Sequence, residues 1–163
     1  MKKQIIVLIA VLFSATCSYS QSCPFTSLKV YLIDDGTETN IRATPNGKIV
    51  LKLNHEQDYY TVELLALKKE WFKIKTIISI EANDINIPGD IGWIHRSVIG
   101  ASTRKDVKLL DAPINGTFVG TIEQETGVSV LDVCSDWVKV EFNGSIGWIA
   151  SEWLCGNPVT TCP

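Results

Sequence analysis

Short alternating runs dominate the chain. Tyr60, Val62 and Leu64 interleave with Thr61 and Glu63, and Val128 and Val130 flank Ser129, which is the two-residue period of a strand with one buried face. Trp71-Phe72-Lys73-Ile74-Lys75 and Trp137-Val138-Lys139-Val140-Glu141 continue in the same style. Asn143-Gly144 separates two such runs, and that pair predicts a tight hairpin because both turn residues need positive φ. Tyr59 and Tyr60 are neighbours on one strand and point to opposite faces, so placing Tyr60 with Val62 and Leu64 inside leaves Tyr59 outside.

The landmarks occur twice in the same order. The first half reads Asn40-Ile41-Arg42-Ala43-Thr44-Pro45, then Gly47, Trp71-Phe72-Lys73-Ile74 and Gly92-Trp93-Ile94-His95-Arg96-Ser97-Val98-Ile99. The second half answers with Lys108-Leu109-Leu110-Asp111-Ala112-Pro113, then Gly116, Trp137-Val138-Lys139-Val140 and Gly147-Trp148-Ile149-Ala150-Ser151-Glu152-Trp153-Leu154. Trp71 and Trp93 are 22 positions apart and Trp137 and Trp148 only 11, so the first half carries an insertion over about residues 77–90. It reads as a lid over a groove or as a plain hairpin extension. Gly100-Ala101-Ser102-Thr103-Arg104 is small and polar and reads as a linker between the halves. Units of roughly 50 to 70 residues bury little core, and closing the sheet into a barrel removes its edges.

The ordered set Asn-Ile-Arg with a following Pro, Trp-Phe-Lys-Ile and Gly-Trp-Ile-His resembles the bacterial SH3-like domain, and Val107 to Leu154 is similar. The resemblance spans about residues 28–156 and implies an all-β fold of two small SH3-like β-barrels in tandem, at 28–100 and 104–156, followed by a tail at 157–163. It further implies an extracytoplasmic binding or spacing module, often attached to cell-wall enzymes, with no catalytic residues of its own. Lys108-Leu109-Leu110 stands where the family has Asn-Val-Arg, and the long loop of the first half is a second departure.

The first residues read as a cleaved signal peptide, residues 1–20: Lys2 and Lys3, an apolar run from Ile5 to Phe13, and small residues at Ser18 and Ser20. That run is too short to span a bilayer, and no later stretch reaches the roughly 20 apolar residues a transmembrane anchor needs. Thr16 before Cys17 fits a lipobox poorly, so no lipid is expected there. The formal net charge of -3 becomes -5 once Lys2 and Lys3 are removed, which leaves no basic footprint for nucleic acid. Cleavage also leaves four cysteines, an even number in an oxidising periplasmic or secreted location. Gly156-Asn157-Pro158 is turn chemistry that favours pairing Cys155 with Cys162, and Cys23 with Cys134 follows by elimination.

The cysteine spacings and the isolated His55 and His95 argue against a metal site, and no cofactor is expected. His55 sits in a polar segment that reads as a solvated turn, and His95 reads as structural. Asp34-Asp35-Gly36 and Glu81-Ala82-Asn83-Asp84 lack the alternating oxygen ligands of a calcium loop. Phosphate-loop, nucleophile-elbow and zinc-helix motifs are absent, so no enzyme is expected.

The aromatics remain as candidates for recognition. Repetition assigns Trp71 and Trp137, which begin matched strands, and Trp93 and Trp148, which follow matched glycines, to the core. Trp153 replaces an aliphatic Val98 and is the first candidate contact, Tyr59 the second, with Trp148 and Trp93 behind them. The expected partner of this monomeric module is a peptidoglycan peptide or an exported protein. An inhibitor, immunity-type protein or adaptor that binds a secreted enzyme is the alternative, and a spacer without specific ligand a third.

Overall fold

The computed structural model describes residues 23–33, 36, 38–56, 58–81 and 83–157. The expected signal peptide, Cys17, Asp34, Asp35, Ala82 and Cys162 lie outside them. The described residues form fourteen successive strands: β1 Leu28–Leu32, β2 Thr39–Arg42, β3 Ile49–Leu53, β4 Tyr60–Lys68, β5 Trp71–Ser79, β6 Asp84–Ile85, β7 Gly92–His95, β8 Ile99–Thr103, β9 Val107–Leu110, β10 Phe118–Ile122, β11 Gly127–Cys134, β12 Trp137–Phe142, β13 Ser145–Ala150 and β14 Leu154–Cys155. One-turn 3₁₀ helices at Arg96–Val98 and Ser151–Trp153 are the helical elements among the described residues. The all-β expectation holds.

Pairing is antiparallel in the order β10-β9-β13-β12-β11-β8-β1-β4-β5-β7-β2-β3, with β6 on β5 and β14 on β8. The two halves repeat one another in register. Trp71, Phe72, Lys73 and Ile74 face His95, Ile94, Trp93 and Gly92, just as Trp137, Val138, Lys139 and Val140 face Ala150, Ile149, Trp148 and Gly147. The glycine before each of these tryptophans has a steric reason. A Cβ on Gly92 would sit 2.4 Å from Ile41 Cγ2, and one on Gly147 2.5 Å from Leu109 Cγ, so a neighbouring strand is pressed against bare backbone in both halves. Asn143 and Gly144 have φ of 49° and 77° and close the β12–β13 hairpin with Phe142 opposite Ser145, as the sequence predicts.

Two expectations need correction and one open alternative is resolved. The stretch read as a linker is strand β8, which pairs with β1 through Ile99 and Gly100 and with β11 through Gly100, Ala101 and Ser102. Small residues occur there because both strand edges are occupied and Ala101 and Thr103 are buried. Of the two readings of the insertion the structure has the hairpin extension: β5 runs on through Ile77 to Ser79, pairs with β6, and buries Ile77 and Ile87. Trp71, Trp93, Trp137 and Trp148 are half-buried on the outer face and not in the core, because alternation gives the inner face to Phe72, Ile74 and Ile94 in one half and Val138, Val140 and Ile149 in the other.

One apolar cluster runs through both halves, from Ile41, Val62, Phe72 and Ile94 to Val130, Val138, Val140 and Ile149. The amino-terminal arm straps across it. Cys23 is disulfide-bonded to Cys134 with Cα atoms 5.1 Å apart, Phe25 packs on Phe72 at 6.3 Å between ring centroids, and Pro24 O accepts the Ser135 amide. Cys155 is also disulfide-bonded. Among the described residues no helix is long and apolar enough to cross a membrane.

Candidate functional site

A groove of about 470 Å³ opens where the two halves meet. One wall is Tyr31, Leu32 and Ile33 with Tyr59 from the segment before β4; the other is Gly127, Val128 and Ser129 of β11 with Glu141, Phe142 and Asn143 at the end of β12. Strand alternation turns Tyr31 out of the core between the buried Val30 and Leu32. Its ring lies over Gly100, its partner on β8, where an added Cβ would meet Tyr31 Cε2 at 2.5 Å, and its hydroxyl donates to Ala101 O at 3.3 Å. A glycine on β8 therefore seats one aromatic wall of the groove.

Tyr59 is 45% exposed while Tyr60 is buried, as the alternation predicts. Tyr59 is held by the insertion: its carbonyl accepts the Ile80 amide at 2.9 Å, and Asp58 Oδ1 accepts both the Tyr59 and the Ile80 amides. Tyr60 donates its hydroxyl to Asn54 O at 3.0 Å and meets the His55 ring edge-on at 5.4 Å. Burial, seconded by the Asp58 charge, raises the Tyr60 phenol above its ordinary value. His55 is not in a solvated turn. It is buried, with Nε2 2.8 Å from Thr39 Oγ1, because the turn folds under Tyr60 and carries the ring inward.

The candidate tryptophans do not share this groove. Trp93 and Trp148 are half-buried on the outer faces of β7 and β13, opposite Lys73 and Lys139, and Lys139 Nζ lies 5.9 Å from the Trp148 ring. Trp153 packs its inner side against the core, and Lys105 Nζ stands 3.0 Å from its ring centroid, so a lysine covers much of the face that Trp153 would offer a ligand. Its backbone is fixed as well, since Trp153 O accepts the Arg104 amide at 2.8 Å. His95 caps a 3₁₀ turn through Ser97 and stacks edge-on to Trp71 at 5.1 Å, a structural role.

Sequence reasoning missed Tyr31 and Phe142. The signal for Tyr31 was the Leu28–Leu32 alternation, and for Phe142 its place beside the Asn-Gly turn. Glu141 and Asn143 give the groove a carboxylate and an amide among its aromatic walls, a composition suited to binding a peptide. Among the described residues no group of three His, Cys, Asp or Glu side chains is placed to hold a metal ion.

Residues 114–154 match the family model of the bacterial SH3 domain, a stretch from the loop before β10 to the first residue of β14, and this stretch is one such domain. The chain is similar to the solved structure of NlpC1 from Trichomonas vaginalis, at 19% identity over 90% of this chain and 50% of that one, with a TM-score of 0.33. It is similar also to NlpC2 from the same organism, at 17% identity over 81% of this chain and 49% of that one, again with a TM-score of 0.33. The chain spans about half the length of each. No curated protein matches it.

Proposed function

We propose that this chain is an exported, non-catalytic binding module of the cell envelope, built as two SH3-like barrels, that holds a cell-wall peptide in the groove between its halves. The observation that carries the reading is the convergence of Tyr31, Tyr59 and Phe142 around one concave surface of peptide size. A matched bacterial SH3 domain at residues 114–154 supports it, since such domains typically bind, and a disulfide between Cys23 and Cys134 suits an oxidising compartment. Tyr59 is the first contact. Trp93 and Trp148 offer further indole faces outside the groove, and Trp153 acts only if Lys105 swings away.

The test is retention of the oxidised protein on purified peptidoglycan, in parallel with capture from an exported-protein extract. Saturable retention, lowered at least fivefold by Tyr59→Ala in a variant with an unchanged melting temperature, supports the reading. A second reading, an adaptor or inhibitor of a secreted enzyme, has one observation in its favour. Of the six large apolar side chains that are exposed among the described residues, Ile114, Phe118, Val119 and Ile146 all belong to the second half, two of them on edge strand β10. A stoichiometric protein complex without wall retention, broken by Phe118→Ser, selects that reading. Absence of both signals overturns both.

A further inference from the structure

The outer face of β5, β7 and β2 carries residues that the groove does not use. Register places Lys73 of β5 on one side of Trp93 and Arg42 of β2 on the other. Arg42 Cζ also lies 5.7 Å from the Trp71 ring, whose edge-on neighbour is His95. Two half-buried indoles are thus interleaved with two cations on one face, on a chain whose net charge is negative. The cations differ from ordinary surface charge in their pairing. Glu70 is the acid at this end of the sheet, and it is engaged by Arg96 at 2.9 Å and approached by His95 at 3.7 Å. Arg42 spends one guanidinium nitrogen on Gly47 O at 2.7 Å, and neither Arg42 nor Lys73 has a carboxylate partner among the described residues.

The second half supplies an internal comparison. Its matched face has the same Trp137, Lys139 and Trp148, yet Leu110 takes the place of Arg42, Ala150 that of His95 and Ser151 that of Arg96. The indoles and the lysine between them are therefore common to both halves, and what belongs to the first alone is Arg42, with His95 and Arg96 beside it.

We infer that the β5–β7–β2 face is a second binding site, independent of the groove, that takes a short extended acidic peptide whose backbone crosses the indoles while its carboxylates at i and i+2 meet Lys73 and Arg42 and the side chain between them points away. Charge complementarity selects the ligand. Adjacent strands lie about 4.8 Å apart, which sets Arg42 and Lys73 about 10 Å apart across Trp93, and an extended peptide places carboxylates at i and i+2 about 7 Å apart, within reach of both side chains. The Arg42 fork adds direction to the charge.

The probe is acetyl-Asp-Phe-Asp-amide, titrated into the oxidised protein while the indole N–H signals of the tryptophans are followed by NMR. Saturable shifts at Trp71 and Trp93 exceeding those at Trp137 and Trp148, at least fivefold weaker binding of acetyl-Asn-Phe-Asn-amide, and decline with added salt are expected. Lys73→Gln lowers the affinity at least threefold and breaks no side-chain hydrogen bond or ion pair among the described residues; Arg42→Gln lowers it further. Equal shifts at Trp137 and Trp148, equal binding of the neutral peptide, an unchanged affinity in Lys73→Gln, or inorganic phosphate acting as strongly as the peptide would each overturn the assignment. Tyr59→Ala leaves this titration unchanged, so the site and the groove fail separately.

Discussion

Tyr59 and Tyr60 are the same side chain one residue apart on opposite faces, and truncating each to alanine separates recognition from stability. Tyr60 is 6% exposed, its hydroxyl is bonded to Asn54 O, and its ring meets His55. Losing a buried aromatic of this kind costs about 3 to 5 kcal/mol. A domain's whole margin is about 5 to 15 kcal/mol. For a chain of this length each kcal/mol moves the melting temperature by about 2 to 4 °C, so Tyr60→Ala should melt about 6 to 20 °C lower. Tyr59 is 45% exposed and contributes backbone rather than side-chain hydrogen bonds to the fold, so Tyr59→Ala should fall within about 3 °C of the parent. Scanning calorimetry of the two variants side by side reads the difference. Equal melting temperatures for the two variants, in either direction, would refute the assignment of faces on which the groove rests.

Three further outcomes follow from the described geometry. Replacing Cys23 and Cys134 together with serine removes a crosslink across a sequence separation of 111, for which chain entropy gives at most about 5 kcal/mol, and thermal melts should show a fall of several degrees with the arm released; an unchanged melt would mean that the Phe25–Phe72 packing alone holds it. Gly100→Ala should push the Tyr31 ring off β8 at a cost of about 1 to 3 kcal/mol, visible as altered Tyr31 ring signals by NMR and weaker groove binding, and unaltered Tyr31 signals would contradict the close approach. Because the Tyr60 phenol is raised above 10.0 in the fold, the unfolded chain loses its proton first; stability is full below that pH and declines above it, and urea melts between pH 9 and 11 should show Tyr60→Phe with a shallower decline.

The fold was legible wherever neighbouring residues alone decide it. Alternation placed Tyr60, Val62, Leu64, Val128 and Val130 inside, and Asn143-Gly144 turned where the chemistry of positive φ requires. Errors arose where a third element intervenes. Residues 100–104 look like a linker when read locally, because polarity and small size also suit a strand with both edges occupied. Trp71 and Trp137 are large and repeated, which suggested the core, but the register assigns that face to Phe72 and Val138 and leaves the indoles at the surface layer. His55 looked solvated from its neighbours, and only the approach of Thr39 and Tyr60 buries it. The groove was half legible for the same reason: Tyr59 follows from one strand, whereas its meeting with Phe142 depends on how two halves far apart in sequence pack.

Strand β8 has a consequence for how this molecule can be cut. It carries β1 and β14 on one edge and β11 on the other, so dividing the chain after it strips β11 and β14 from β8, leaving one fragment with β8 bare along a whole edge and the other with β11 in the same condition. Each fragment would carry a sticky flank and, with Tyr31 and Gly100 parted from Ser129 and Phe142, half a groove. Cutting at the boundary between the halves would therefore yield aggregates rather than two intact pieces, and swapping one half into another protein requires β8 and its three neighbours to travel together.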